Sequence, residues 1–351
     1  MIKATIFLGA GASKADGAPL QNELFRDYII SSNSMVHTEQ YHNRKHKIRR
    51  NIKEFFKEFF GYENIFNSSI RIEFPTFEEA LGILDLALSR NEEYKNNVNK
   101  LNNYRSSLVF SMAESIQYRL DIFNRSTREH HNNLIDNLNF QINDNEYSFI
   151  STNYDLLIDN AILSRSMKPN YMFDDISGES DVKVLKLHGS LNWLYCPVCN
   201  SICYTDYSKS MINAVLNPET NKCRACSSNQ RFIIVPPTYF KDMSNHYLLQ
   251  IWNQAEKELL QSDHIVFCGY SFPDADMHIK YLLKRAEINR LKESALKVTI
   301  INNYEKKNHD ISQMEEQRYR RFFSQDTRID FRYDMSFEQF ARNPHEILND
   351  D

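Results

Sequence analysis

The sequence lacks long apolar runs, a leader-like beginning and a strong net charge. No run approaches the ~20 consecutive apolar residues that a membrane-spanning helix needs. Met1, Ile2 and Lys3 lead directly into an apolar stretch, without the charged and then apolar pattern of a signal peptide. We therefore expect a cytoplasmic protein that does not enter a membrane. The net charge of −4 gives no strong sign of nucleic-acid binding.

Internal repeats and low-complexity linkers are also missing, which argues against a repeat architecture. With 351 residues, of which 42% are hydrophobic, the chain can form one substantial core with an appendage or two modest domains.

Short apolar runs alternate with helical stretches from Glu146 onward. The helical stretches lie near residues 246–261, 274–290 and 310–322. The strand-like runs are residues 147–151, 182–187, 231–236, 264–269, 297–302 and 328–333. Such alternation indicates βα units, and with the N-terminal run it gives about seven strands. We predict an α/β fold with a doubly wound, mostly parallel, Rossmann-like sheet.

Residues 21–145, approximately, lack strand-like runs and carry apolar residues at helical spacing. Within them, Thr76 and Glu79 form the pattern of a capping box. We expect a helical insertion that packs over the carboxyl edge of the sheet and supplies an oligomer contact. The basic patch at residues 37–50 is either a phosphate-binding face or, as we favour, the solvated side of a helix whose apolar side carries Ile52, Phe55, Phe56 and Phe59.

A glycine loop, GAGAS at residues 9–13, follows the first apolar run. Gly9 and Gly11 permit a tight turn and close approach of a ligand, and the helix predicted from Leu20 and Leu24 would direct its N–H groups toward an anion. Lys14 replaces the third glycine of the dinucleotide-binding fingerprint. Taken alone, the loop is equally compatible with an ordinary turn between strand and helix.

Five further polar loops follow predicted strands. Each has an ordinary explanation: Asn153 and Asp155 as helix caps, His188 as a core histidine and Gly269 as a turn residue. Because parallel strands end at one edge of a sheet, the loops together predict a ligand site there. They are residues 151–155, 187–190, 236–239, 269–276 and 301–304.

Two C-x2-C pairs lie between the strand-like runs at 182–187 and 231–236. Paired knuckles of this kind supply four thiolates to one tetrahedral zinc ion, and no ligand position is left open. We predict a structural Zn²⁺ in a small ribbon at about residues 193–230. A redox-active pair is the alternative, which the presence of two pairs disfavours. The predicted ligands are Cys196, Cys199, Cys223 and Cys226.

The combination of GAGAS, TNYD, KLHGS, paired knuckles and a late Gly-x-Ser resembles the sirtuin family. The resemblance implies one NAD-binding domain over residues 1–345, with NAD as substrate and zinc in a structural role. It implies that His188 and Asn153 act at the nicotinamide ribose, with Asp155 nearby. The residues implied to bind NAD are Gly9, Ala10, Gly11, Ala12, Ser13, Pro19, Asn153, Asp155, Gly269, Ser271, Asn302 and Asn303, where Asn302 and Asn303 are equal candidates.

Departures from the protein deacylases narrow the implied activity. Residues 19–22 read Pro-Leu-Gln-Asn and residues 152–155 read Thr-Asn-Tyr-Asp, and both are similar to sirtuin-like domains of bacterial anti-phage systems. That resemblance implies an NAD⁺ hydrolase, a homo-oligomer and a separately encoded activating partner such as an ATPase. An NAD-dependent deacylase or ADP-ribosyltransferase is the alternative, favoured by the zinc cysteines. A third possibility is a non-catalytic, nucleotide-sensing assembly subunit.

Overall fold

The computed structural model describes residues 2–34, 39–67, 72–92, 98–122, 129–140, 145–173, 181–204, 222–235, 245–290, 295–303 and 307–349. The chain divides into two compact units. The first comprises Met1–Ala18, Phe123–Gly189 and Lys241–Asp351, and the second comprises Pro19–Ile122 and Ser190–Phe240.

The described strands are β1 (Lys3–Leu8), β2 (Glu146–Ser151), β3 (Lys168–Asn170), β4 (Asp181–Lys186), β5 (Gly189–Tyr195), β6 (Ile202–Tyr204), β7 (Arg231–Ile234), β8 (His264–Cys268), β9 (Lys297–Ile301) and β10 (Arg328–Arg332). The described helices are α1 (Ala10–Ala15), α2 (Leu24–Ser34), α3 (Glu39–Phe60), α4 (Phe77–Ser89), α5 (Val98–Ile122), α6 (His130–Leu138), α7 (Leu157–Leu163), α8 (His246–Gln261), α9 (Met277–Ile288), α10 (His309–Phe322), α11 (Phe337–Arg342) and α12 (His345–Leu348).

The first unit is built on a seven-stranded sheet in the order β10-β9-β8-β1-β2-β4-β3. The strands pair in parallel, as predicted for a doubly wound α/β fold. β1 lies between β2 and β8, so the strand order changes direction beside it. Such a switch point is where open parallel sheets bind ligands, outside the carboxyl ends of the strands.

The membership of this sheet differs from the prediction in one strand. The apolar run at 231–236 was expected to join the large sheet, but β7 pairs instead in a separate three-stranded sheet of order β6-β5-β7. The seventh strand is β3, which carries Pro169 at the sheet edge. Proline lacks an N–H group and is tolerated on an edge strand, so β3 has no apolar signature in the sequence.

The first helix also differs from the expected one. Helix α1 begins inside the glycine loop and ends at Ala15, with Asp16 as its C-cap, followed by Gly17 with φ +92°. Glycine adopts this left-handed conformation readily, and the turn it makes closes the helix. The stretch around Leu20 therefore does not continue α1, and α2 begins only at Leu24.

The second unit contains α2 to α5 and most of the three-stranded sheet. Its helical core is aromatic, with Phe25, Phe55, Phe56 and Phe77 each 2% exposed or less. Helix α4 begins at the predicted capping box, in which the Thr76 side chain accepts from the Glu79 N–H. The described part of residues 21–145 holds five helices, α2 to α6, and no strand. The boundaries of the insertion stay a prediction.

Helix α3 carries the basic patch and has an apolar and a charged side. Ile52 and Phe55 are buried, whereas Lys47 and Arg50 of the patch are exposed. Lys45 of the patch instead lies 2.6 Å from the buried carboxylate of Glu114. An apolar stripe facing the core with charges on the opposite side is typical of a surface helix. The side chains of residues 37–42 lie outside the described part of the chain.

Of the described helices, none combines the length and the apolar character needed to cross a membrane.

Candidate functional site

The glycine loop after β1 and the loop after β8 touch through their backbones. The Gly9 N–H donates to the Cys268 carbonyl at 2.9 Å, and the Gly11 N–H donates to the Gly269 carbonyl at 2.8 Å. Gly269 has φ +65°, and a Cβ on it would stand 2.1 Å from the backbone nitrogen of Ala12. The approach therefore requires glycine at Gly269 and brings two predicted binding loops together at the switch point.

Asn153 ties the loop after β2 to the same glycine loop. Its Nδ2 donates to the Gly9 carbonyl at 2.9 Å and to the Ser13 Oγ at 2.8 Å. A carbonyl oxygen only accepts, so the NH₂ group of the amide must face Gly9. Both amide hydrogens are thereby engaged, and the Oδ1 atom remains as the acceptor that Asn153 can offer to a ligand.

Asp155 holds the turn that leads into α7. It lies one residue before Leu156, the N-cap of that helix, and is 7% exposed. Its Oδ1 accepts the Leu157 N–H at 3.0 Å, so the side chain binds the backbone two residues on and supports the helix start without being the N-cap itself. The predicted role of Asp155 in catalysis stays a prediction.

A buried lysine that sequence reasoning missed supports the loop carrying Asn153. Lys186 is 0% exposed, and its Nζ donates to the Asp155 carbonyl at 2.5 Å and to Asp159 Oδ2 at 3.0 Å. The Tyr171 hydroxyl donates to the other Asp159 oxygen at 2.5 Å. Burying an ion pair costs free energy that its attraction only partly returns, so this cluster mainly fixes geometry. In the sequence, the signal for this buried group was a lysine within the largely apolar run at 182–187.

His188 lies at the turn between β4 and β5. The residue is 2% exposed, and its ring centroid is 6.2 Å from that of Tyr154. Gly189, next in the chain, has φ +87°, which permits the turn. The neighbouring carbonyl of Leu187 accepts from the Trp252 indole at 3.0 Å. His188 and Asn153 therefore follow neighbouring strands, β4 and β2, as predicted.

The loops after β8 and β9 hold the remaining predicted binding residues of the first unit. Asn302 is 7% exposed, and a Cβ on Gly11 would stand 3.2 Å from its Oδ1. Asn303 is half-buried, with φ +49°. The structure thus brings Asn302 to the glycine loop. Ser271, two residues after Gly269, is half-buried, and its carbonyl accepts from Arg318 at 3.4 Å.

Two predicted elements stay predictions. Pro19 belongs to the second unit, as its first residue. The loop at residues 236–239 lies outside the described residues.

The end of helix α1 is held by a buried pair, Asp16 and His131. Asp16 accepts the N–H groups of His130 and His131 at 3.1 and 3.0 Å, and its Oδ2 lies 2.5 Å from the His131 Nδ1. Burial alone raises the pKa of Asp16, but the hydrogen bonds and charge of His131 outweigh it and hold the pKa below its usual value. Asp16 thus caps α6 and anchors α1 to it.

The four predicted zinc ligands lie together in the second unit, with their Sγ atoms within 4.8 Å of one another. The Cys196–Cys226 and Cys199–Cys223 sulfur distances are 3.4 and 3.5 Å. With zinc–sulfur bonds of about 2.3 Å, the edges of a tetrahedron are about 3.8 Å, so the cluster fits a structural zinc ion.

The two knuckles have matching backbones. The N–H groups of Cys196 and Cys223 each donate at 2.8 Å to the carbonyl five residues further on. Asn200 and Ser227, each four residues after the first cysteine of its knuckle, have φ +55° and +58°. Such repeated turns direct both cysteines of a pair toward one point, as a metal knuckle requires.

A family model described as SIR2-like domain matches residues 147–323, just over half of the 351 residues. The match includes the loops after β2, β4, β8 and β9 but not the glycine loop. A comparison with curated proteins finds no match.

Solved sirtuin structures are among the similar folds. A structure from work on sirtuin substrate affinity is 15% identical, with a TM-score of 0.44, covering 97% of this chain and 91% of that one. A crystal structure of a Sir2 homolog–NAD complex is 14% identical, with a TM-score of 0.42, covering 99% of this chain and 88% of that one.

Proposed function

Because the chain belongs to the SIR2-like domain family, an NAD-dependent family, we propose that it binds NAD at the carboxyl edge of its seven-stranded sheet and hydrolyses it to ADP-ribose and nicotinamide. The observation that carries this proposal is the junction of the glycine loop, the Asn153 amide and the loop after β8 at the switch point of the sheet. Glycines without side chains let a pyrophosphate approach the backbone beside a strand end, which is where open parallel sheets bind ligands.

The chemistry requires few groups. In NAD the nicotinamide is a cationic leaving group, which departs with the electron pair of the broken glycosidic bond. Water then attacks the ribose carbon and loses one proton. An enzyme must hold the ribose, stabilise the oxocarbenium-like transition state and accept that proton.

We assign these tasks to two residues. Since the hydrogens of the Asn153 amide are bound by Gly9 and Ser13, its Oδ1 is the atom that accepts a hydrogen bond from the attacking water or a ribose hydroxyl. His188 takes up the released proton as general base, a task suited to an imidazole. Asp155 mainly holds the turn before α7, through the Leu157 N–H.

The burial of His188 supports control of the activity. At 2% exposure, the imidazole reaches a substrate only after neighbouring side chains move. A freely active NAD hydrolase would also deplete its own host. We therefore propose an effector of bacterial anti-phage defence, located in the cytoplasm, that is activated through homo-oligomerisation or a separately encoded partner such as an ATPase. A wild-type chain that stays monomeric at micromolar concentration by light scattering, alone and with that partner, would contradict the oligomer.

The deciding experiment is incubation of the purified chain, alone and with a candidate partner, with NAD. We expect ADP-ribose and nicotinamide, and a loss of turnover of about 10²-fold or more in Asn153→Ala and His188→Ala. Asn160→Ala is the matched control, because Asn160 is exposed on the nearby helix α7. Full turnover in His188→Ala would refute the mechanism.

A deacylase or ADP-ribosyltransferase is the second candidate, favoured by the cysteine cluster. Adding an acetylated peptide to the same incubation separates the two activities, because a deacylase forms O-acetyl-ADP-ribose and a hydrolase forms ADP-ribose regardless of the peptide. Binding of NAD without any product would favour the third candidate, a nucleotide-sensing subunit.

A further inference from the structure

A buried carboxylate on α10 lies under the end of β9. Glu315 is 4% exposed, and its Oε2 accepts from the Asn302 Nδ2 at 2.8 Å. The Lys307 Nζ lies 2.7 and 2.9 Å from its two oxygens. The proposed chemistry makes no use of Glu315, although it contacts one of the predicted binding residues.

The charge of Glu315 determines which way the Asn302 amide faces. A carboxylate only accepts hydrogen bonds, so the NH₂ group of Asn302 must point toward it and the carbonyl oxygen away from it. That oxygen points to the glycine loop, where a Cβ on Gly11 would stand 3.2 Å from it. No residue in the described part of the chain donates a hydrogen bond to it.

We propose that Glu315 is a specificity-determining residue that holds the Asn302 carbonyl toward the ligand, so that the site accepts an adenosine ribose hydroxyl and rejects a ribose phosphate. The inference rests on the proposed NAD site. What it adds to that site is a positioning residue, Glu315, which acts on the ligand through Asn302.

The physical basis is the pairing of donors with acceptors. A ribose hydroxyl donates to the Asn302 oxygen, whereas a phosphate group near neutral pH is an acceptor with about two negative charges. Placed against the carbonyl oxygen, the phosphate leaves that oxygen unpaired and is repelled by it. Sites that use a buried polar group in this way discriminate more strongly than apolar pockets do. Because Lys307 already pairs with Glu315, its charge does little to offset the repulsion between the phosphate and the Asn302 oxygen.

The test measures binding of NAD and NADP by calorimetry, which needs no turnover. Wild type is expected to bind NAD about 10-fold or more tightly than NADP, the scale of one hydrogen bond to a buried group. In Glu315→Gln the Asn302 amide is free to turn, because the introduced glutamine side chain can donate as well as accept. The ratio of the NADP to the NAD dissociation constant should then fall toward one. Glu316→Gln is the matched control: it removes the same charge from the next residue of α10, where Glu316 pairs with Arg320.

A second variant protects the test against misfolding. Asn302→Ser removes the amide while leaving Glu315 and Lys307 paired. It should also bring the ratio of the NADP to the NAD dissociation constant closer to one. In turnover assays both variants should raise KM and leave kcat nearly unchanged, because the contact is remote from the broken bond. A merely structural residue would change the melting temperature without changing the ratio.

The outcomes separate the two proposals. Wild type that binds neither nucleotide overturns the NAD site and this inference with it. Wild type that binds both equally well, or Glu315→Gln with the same ratio as Glu316→Gln, overturns the role of Glu315 alone.

Discussion

The first residue of β8, His264, gives the protein a specific loss of stability in mild acid. The residue is 3% exposed, and its Nε2 lies 2.8 Å from the Thr299 Oγ1. Burial, and then the charge of Lys297, lower the pKa of His264 to about 3. The ring therefore stays neutral in the folded protein under conditions in which the unfolded chain, with a histidine pKa near 6.5, binds a proton.

The sign and size of the effect follow from this difference. Between about pH 6.5 and 3 the unfolded state binds more protons at His264, so stability falls as the pH falls. From pH 7 to pH 5 this residue alone should lower the free energy of unfolding by about 2 kcal/mol. Domains are typically stable by only ~5–15 kcal/mol, so the change is measurable.

The assay is urea unfolding at pH 7 and pH 5 of wild type, His264→Gln and the control His309→Gln, which removes an exposed histidine. His264→Gln should lose about 2 kcal/mol less than wild type between the two pH values, whatever its stability at pH 7. Asp16 does not interfere, because its lowered pKa costs stability only below about pH 4. An equal loss in wild type and His264→Gln would refute the reasoning.

Three further perturbations test other parts of the structure. Cys196→Ser should lower bound zinc by elemental analysis and the melting temperature, whereas Cys203→Ser should change neither; folded wild type without zinc would contradict the metal site. Gly269→Ala should cost about 2 kcal/mol or more in thermal unfolding, because its Cβ would stand 2.1 Å from a backbone nitrogen at φ +65°; unchanged stability would contradict the loop contact. Asp155→Ala should cost about 1 kcal/mol with little change in turnover if the residue is a cap, whereas reduced turnover at an unchanged melting temperature would indicate a transition-state role.

Local patterns predicted the parts of the fold that depend on neighbouring residues. The capping box at Thr76, the two-sided helix α3 and the cysteine knuckles follow from spacing alone, and the structure confirms them. The strand-end loops were predictable because parallel strands must end at one edge. The edge strand β3 and the different sheet of β7 were not, because a three- or four-residue strand contains too little periodicity to reveal its partner.

Contacts between distant residues could not be predicted in this way. The sequence offered Asn302 and Asn303 equally, and the approach of Gly11 and the hydrogen bond to Glu315 distinguish Asn302. Lys186 and Glu315 are charged residues that a sequence would place in solvent, yet each is buried against a partner brought in by the fold. Such groups are the ones that sequence patterns miss, since their partners are set by tertiary structure.

The two asparagines of the site follow one physical rule. Asn153 directs its NH₂ group to a backbone carbonyl, and Asn302 directs its own to a carboxylate, so each has its carbonyl oxygen left as an acceptor. The glycine loop lies between them, because β1 stands between β2 and the β8–β9 pair in the sheet. Sugar hydroxyls can donate to such acceptors, and a dinucleotide carries two riboses where a mononucleotide carries one. Two acceptors on opposite sides of the glycine loop therefore lead us to favour a dinucleotide as the ligand of the proposed site.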